Sequence, residues 1–588
     1  MSYWSQYRKI RKNVSSTILS CEEEIASSAK VQKCLDQNNS ECQPQQEMDS
    51  GPIVSDNNSL DSLQSEQSAV PEDDWYETMQ TIENEEYLDV SSDDNAGSDL
   101  DEIDELTEEE KAENLGFELG LWASSFGISI VALSALLAVL RVYYPSLPKD
   151  PRTLLKTPRQ TIVRQIDGGT YFHFGIMKAI CQSKQLLEYF ATNIRQCLLQ
   201  VPNICLQINI DGLPLFKSAS TQFWPILGRV CSPVQTDPFM IGLFCGEQKP
   251  QDLDEYFHDF VEDMHALNQG PVDFPVDGQK IPVRVSLSCF ICDTPARAFV
   301  KRIKGHTGYW GCDKCTQRGF WAGRMTFPDI DAQKRTDDSF KRGREANDPH
   351  HTGPAASPLL RHLDVGMVTK FPGDYMHMVC LGVTRRLLMY WIKSPVNKGL
   401  RLGHVTINQL SESLRIFRGY IPREFSRKCR GVDEIERWKA TEFRQFLLFS
   451  GIVALKGKLS QVMYEHFLLL FIGIHCLTSP VLSQSHADYA QDILCMFVDQ
   501  ARHIYGIEFL VYNVHSLIHL ASDVKMYGPL DAYSAFPFEN YLGHLKWLVR
   551  KPQFPLQQVV RRLSERVQQG LFGNRKSDRM PVDNIPKK

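Results

Sequence analysis

The chain has 588 residues, 43% hydrophobic and 23% charged, which is room for two or three domains around a sizeable core. No basic stretch followed by an apolar run marks a secretory signal, and sixteen scattered cysteines exclude a small disulfide scaffold, so a reducing compartment is expected. The net charge of −7 hides an asymmetry: residues 1–113 hold 7 Lys and Arg against 29 Asp and Glu, a balance of −22, and the remainder balances at +15. An acidic segment on a basic body fits a body that meets a polyanion and a segment that competes with it; a plain solubilising leader fits the same numbers.

Residues 40–113 are rich in Ser, Asn, Gln, Asp and Glu without an apolar period, so the leader, 1–113, is expected to be largely disordered. A helical segment is predicted over 114–165. Within it, residues 122–140 carry no charge, which meets the length of a membrane span. Four serines interrupt the run and its flanks lack a basic anchor pattern, so a buried core helix is preferred over a membrane anchor. Pro145 and Pro148 end it.

The first part of an α/β core is expected over 166–300. Ile204, Leu206, Ile208 and Ile210 alternate with polar residues as in a strand, with Asp211 at the end, then Gly212 and Pro214. Val283, Val285, Leu287, Cys289 and Ile291 alternate again, and Asp293 falls where strand gives way to helix, with Thr294 and Pro295 as cap and first-turn residues. Residues 301–350 are loop-rich and basic; from Leu381 onward TEFRQFLLFSGIVAL, YEHFLLLFIGIHCL and QDILCMFVDQARHIY read as buried or amphipathic helices. Strands followed by many helices imply an α/β core with a large, mainly helical insertion, 301–530. A helix within 531–570 and a tail, 571–588, complete the chain.

Two constellations carry chemistry. Cys312 and Cys315 form a lone C-x-x-C, half of a metal site. His515 and His519, four apart on one helical face, are spaced to reach one ion, and a Cys2His2 set would be closed, structural zinc. His350, His351 and His377 are alternative ligands, and a pair of satisfied core histidines is the plain reading. The second constellation is Asp211, Asp293 and Glu539. Around Glu539, the residues Phe538, Tyr541, Leu542, Leu545, Leu548 and Val549 predict a core face, leaving Glu539, Gly543, Lys546 and Arg550 on the other. That stripe suits a metal ion and a phosphate backbone; an ordinary solvated face fits it as well. Three carboxylates from distant segments would satisfy two hard ions of a phosphoryl-transfer site, Mg²⁺ or Mn²⁺.

The order INIDGLPLF, CDTPA, GCDKC, FPGDYMHMVCLGVTRRLL, then HSLIHL and FPFENYLGHLK, resembles the CACTA (EnSpm) group of cut-and-paste DNA transposases of animals, over about residues 121–563. The resemblance implies an RNase H-like core interrupted by a large insertion, with Asp211, Asp293 and Glu539 as the catalytic DDE triad holding Mg²⁺. Asp374 and His377 match the family's aspartate-x-x-histidine motif and are expected to be structural or supporting. Similarity to the V(D)J recombinase catalytic subunit implies one zinc on Cys312, Cys315, His515 and His519. The expected partners are DNA (terminal repeats and target), a second copy of the chain and, since no DNA-reading module precedes the core, a separate DNA-binding chain, all in the nucleus. Lys546, Arg550, Lys551, Arg385 and Arg386 are candidate phosphate contacts. A catalytically silent, transposase-derived DNA- or protein-binding protein is the alternative.

Overall fold

The computed structural model describes residues 107–394 and 399–568. The predicted leader up to residue 106 and the predicted tail lie outside the described residues. Residues 107–113 are ordered: Thr107 caps the helix Glu108–Ser125, its hydroxyl accepting from the Glu110 amide while the Glu110 carboxylate accepts from the Thr107 amide. The uncharged run 122–140 is not one helix. The chain breaks at Gly127, which takes a positive φ of 61°, and Ser129 caps a new helix, Ile130–Leu140. Eleven residues reach only about 16 Å, half of a bilayer core. The described helix long and apolar enough to cross a membrane is Gln461–Thr478, and it is 67% buried inside the fold.

A curled mixed sheet forms the α/β part. Its strands are β1 (Arg164–Ile166), β2 (Gly169–His173), β3 (Asn203–Ile210), β4 (Leu213–Phe216), β5 (Ala219–Ser232), β6 (Phe239–Gly246), β7 (Val272–Val276) and β8 (Gln279–Ile291). The order is β1-β2-β6-β5-β3-β8-β7, with β4 paired to β5. Every pairing is antiparallel except β3 with β8, which run parallel at the centre. The helix Leu253–Asn268 supplies the crossover between β6 and the β7–β8 hairpin. Tyr256, Phe257, Phe260 and Met264 recur at helical spacing and fill one core with Ile204, Leu206, Ile208 and Ile210 of β3.

The alternation predicted along β8 holds only for its first half. Leu206 pairs with Leu287 but Gln207 with Cys289, so Ser288 is an extra residue, a bulge that reverses the faces. Phe290 and Cys292, rather than Cys289 and Ile291, therefore join Val283 and Val285 in the core beneath the crossover helix. β3 is also covered on its second face near its end. Gln207 and Asn209 are buried there, donating to Ala532 O and Ile291 O, each at 2.9 Å.

About half of the described residues are helical. After β8 and the short helix Thr294–Lys301, the chain makes a long, mostly helical excursion. It touches the sheet midway, where Lys370 O accepts from the Phe290 amide at 2.7 Å. Gln461–Thr478 packs on Ala487–Tyr505 at the centre of this helical body. TEFRQFLLFSGIVAL is helical but includes a π-helical stretch, Phe446–Ser450. The excursion returns in the helix Phe536–Trp547, where Phe538, Leu542 and Leu545 are buried as expected. Leu548, Val549 and Arg550 lie beyond its end, so the predicted stripe of Glu539, Gly543, Lys546 and Arg550 is cut short.

Candidate metal-binding centres

Asp211 and Asp293 are brought together by strand register. β3 and β8 are parallel neighbours with Asn209 opposite Ile291, so the residues two further on leave the sheet side by side. Adjacent strands lie about 4.8 Å apart, which fixes the spacing of the two backbones. Asp211 turns into a loop, its Oδ1 accepting from the Gly212 amide at 2.7 Å. A Cβ on Gly212 would lie 3.0 Å from the Trp224 ring, so glycine lets the loop pass that ring. Asp293 is itself the cap of Thr294–Lys301, its Oδ1 accepting from the Ala296 amide at 2.7 Å; Thr294 is the first helical residue rather than the cap.

Glu539 arrives on the first turn of Phe536–Trp547. That helix start is fastened by Asp374, whose Oδ1 accepts from the Ala535 amide at 2.8 Å. The other oxygen of Asp374 contacts Nδ1 of His377 at 2.6 Å. Nε2 of the same ring lies 3.5 Å from Glu539. His377 belongs to a π-helical turn, Met376–Thr384. The ligand atoms of Asp211, His377 and Glu539 all lie within 4.8 Å of one another.

The electrostatics are those of crowded like charges. Burial first, then Asp293 and Glu539, push the Asp211 carboxyl well above the usual carboxylate range. Asp293 is raised chiefly by burial, with His377 opposing and Glu539 adding to the shift. Burial works against a charged His377, but Asp374 and Glu539 outweigh it and hold the imidazole well above its ordinary pKa. The site is partly open to solvent: Asp211, Asp293, His377 and Glu539 are all half-buried.

The second centre is closed. Cys312, Cys315, His515 and His519 are all buried, and the cluster could hold a metal ion such as zinc. The Sγ atoms are 3.4 Å apart, Cys315 Sγ lies 3.2 Å from His515 Nε2, and Cys312 Sγ lies 3.6 Å from His519 Nε2. Bonds of about 2.3 Å to sulfur and 2.0–2.1 Å to nitrogen require tetrahedral edges of roughly 3.4–3.8 Å, close to these separations. The helix is not uniform here: Leu517–His519 is a 3₁₀ turn between Tyr512–Ser516 and Leu520–Tyr527. Both imidazoles nonetheless face the thiols.

Buried charges join the two centres, and none of them stood out in the sequence. Asp313, inside the C-x-x-C, contacts Lys301 at 2.8 Å and Arg297 at 3.6 Å, both on the helix that Asp293 caps, and accepts from Tyr512 at 2.8 Å. Burial lowers Lys301 to about 8, whereas Asp313, buried too but ringed by Lys301, Arg297 and Lys314, is held well below the carboxylate range. Lys314 contacts Asp523 at 2.8 Å, and Asp523 accepts from the Gly373 amide, next to Asp374, at 2.8 Å.

Other predicted residues have other roles. His350 and His351 are away from the thiols: they pack on Phe340, and His350 Nδ1 meets Trp310 O at 2.7 Å. Arg386 and Arg550 are not free for phosphate. Arg386 donates to the carbonyls of Glu508 and Phe509, and Arg550 to those of Gly127 and Ile128. Lys546 is half-buried, and burial lowers its pKa despite Glu539. Lys551 is exposed and Arg385 half-buried. The chain matches no protein-family model and no curated protein.

Proposed function

We propose that the chain is a CACTA-like DDE transposase, cutting and joining DNA strands by two-metal phosphoryl transfer. The carrying observation is that Asp211 leaves β3 beside Asp293 at the end of the parallel β8, while Glu539, from more than two hundred residues later, brings its carboxylate, alongside the His377 ring, within 4.8 Å of Asp211. A mixed sheet left after its second carboxylate for a long helical excursion, and rejoined by a glutamate helix, fits an RNase H-like core with a zinc-stabilised insertion. The donor set suits Mg²⁺ or Mn²⁺: oxygen ligands, half-open to water, and too crowded to stay fully charged without a cation.

Asp211, Asp293 and Glu539 would hold the ions, which supply Lewis acidity to the attacking and leaving oxygens of an in-line displacement. Asp374 fixes the His377 ring so that Nε2, protonated, faces the cluster and can donate to a phosphate oxygen. The same aspartate holds the start of the Glu539 helix, so one side chain positions both groups. Water attacks a phosphodiester at an element end, and the freed 3′ hydroxyl then attacks target DNA. Zinc on the Cys2His2 set has a structural role. The remaining parts of the proposal are a nuclear location, self-association and a separate DNA-reading chain.

Purified protein should nick terminal-repeat DNA with Mg²⁺, and Glu539→Ala should abolish the nick; equal nicking by both contradicts the assignment. The second reading, a catalytically silent binding protein of the same origin, draws on the His377–Glu539 contact, which balances the glutamate without a metal. Binding of candidate ends with both centres loaded and no cleavage would favour it.

A further inference from the structure

The helix His404–Phe417 runs into a loop whose charges the fold does not balance. From Arg415 to Arg430 the sequence RIFRGYIPREFSRKCR holds six cations and one acid, Glu424, with Phe417, Tyr420 and Phe425 interleaved. Two of the cations are neutralised internally: Arg415 by Asp433 at 2.5 Å, and Arg430 by both oxygens of Glu442 at 2.7 Å each. Arg418, Arg423, Arg427 and Lys428 have no ion-pair partner among the described residues. All are exposed but Arg427, which is half-buried. Tyr420 is 81% exposed beside them.

The loop is nonetheless anchored. Phe425 meets Phe449 edge-on with ring centres 5.1 Å apart, and the Cys429 thiol donates to Gln445 at 2.7 Å. Nearby Lys439 is lowered to about 8, first by burial and then by Arg427 and Arg430, with Glu442 opposing. The helix Ala440–Gln445 that anchors Cys429 packs on the π-helical turn carrying His377.

We infer that this loop binds the backbone of single-stranded nucleic acid, with Arg418, Arg423, Arg427 and Lys428 on phosphates and Tyr420 as a platform for an unstacked base. Cations along a backbone combined with an aromatic face are how single strands are held without regard to sequence. A duplex keeps its base faces stacked and would leave Tyr420 idle. The surface does not depend on strand cleavage, and its test needs no magnesium.

The probe is a labelled single-stranded DNA of about 20 nucleotides, titrated with the full chain across a salt series and read by fluorescence anisotropy. Exchanging Arg418, Arg423, Arg427 and Lys428 together for Gln should flatten the slope of log affinity against log salt by about 3, at roughly 0.7 for each phosphate contact. Tyr420→Ala should weaken single-strand binding about tenfold at an unchanged slope, Tyr420→Phe should restore it, and duplex affinity should not move. Thermal melting checks that each variant is folded. A folded fourfold variant with the wild-type slope overturns the inference, as does a Tyr420→Ala variant that binds single strands normally. So would charge substitutions that spare DNA but abolish binding of a peptide of residues 91–110, which would assign the loop to the chain's own acidic segment.

Discussion

The two clusters differ in each property that decides what a bound ion can do. The open cluster of Asp211, Glu539 and the His377 ring, with Asp293 beside it, offers mainly carboxylate oxygen, is half-buried, and is held at strand and helix ends that leave its carboxylates in mutual repulsion. The thiol–imidazole set offers soft ligands, is buried on every side, and has four donors spaced for a closed tetrahedron. An open site leaves positions for substrate and exchanges its ions; a closed one ties chain segments together. Here the closed site joins the start of the helical excursion to its end, some twenty residues before Glu539. The Asp313 and Lys314 contacts carry that anchorage toward Asp293 and Asp374.

Removing the closed site should have the largest effect on the fold. Replacing Cys312 and Cys315 by Ser should release about one zinc per chain and cost several kcal/mol, seen by metal analysis and thermal melting. An unchanged melting temperature would break the contrast between the centres. Asp313→Ala comes next, at about 3–5 kcal/mol, because it strands the buried charges of Lys301 and Arg297. If it also slows cleavage while zinc stays bound, the connection between the centres is sharpened.

Changes at the open site should leave the fold nearly intact and act on chemistry. Asp374→Asn should reduce nicking about a hundredfold, since the His377 ring loses its carboxylate partner and its charge. A melting loss as large as that of the cysteine variant would make Asp374 a purely structural residue. The smallest effect concerns pH without magnesium. The folded pKa values of Asp211, Asp293 and His377 are raised, so their contributions are fully present below the unfolded values and are lost as pH rises through the folded ones. Buried His350, His351 and His466 are lowered and pull the total the other way, so the readout is a difference. By chemical denaturation, the stability of the wild type relative to Asp211→Asn should fall with rising pH, at about 1.4 kcal/mol per pH unit between the unfolded and folded values of Asp211.

Asp211 and Asp293 each stood out in the sequence because each ends an alternating apolar run. Their parallel pairing was not legible, nor was the Ser288 bulge, since an extra residue in a strand leaves the local composition unchanged. Glu539 needed the family resemblance: its helix looks like any amphipathic helix until the sheet is present. The His515/His519 spacing pointed to a ligand pair, although the turn between them is 3₁₀ rather than regular. Arg386 and Arg550 were misjudged because the carbonyls that hold them lie more than a hundred residues away in sequence. Asp523 was missed for the same reason, its partner Lys314 lying 209 residues away; Asp313 was missed although Lys301 is only 12 residues before it, because their burial together exists only in the folded core.

The distinction between the centres is most directly tested by counting manganese ions. Electron paramagnetic resonance titration of the zinc-loaded chain with Mn²⁺ should show about two exchangeable ions, reduced by Glu539→Gln and by Asp211→Asn while zinc content and melting temperature hold. Manganese bound equally by the wild type and both variants would contradict the account.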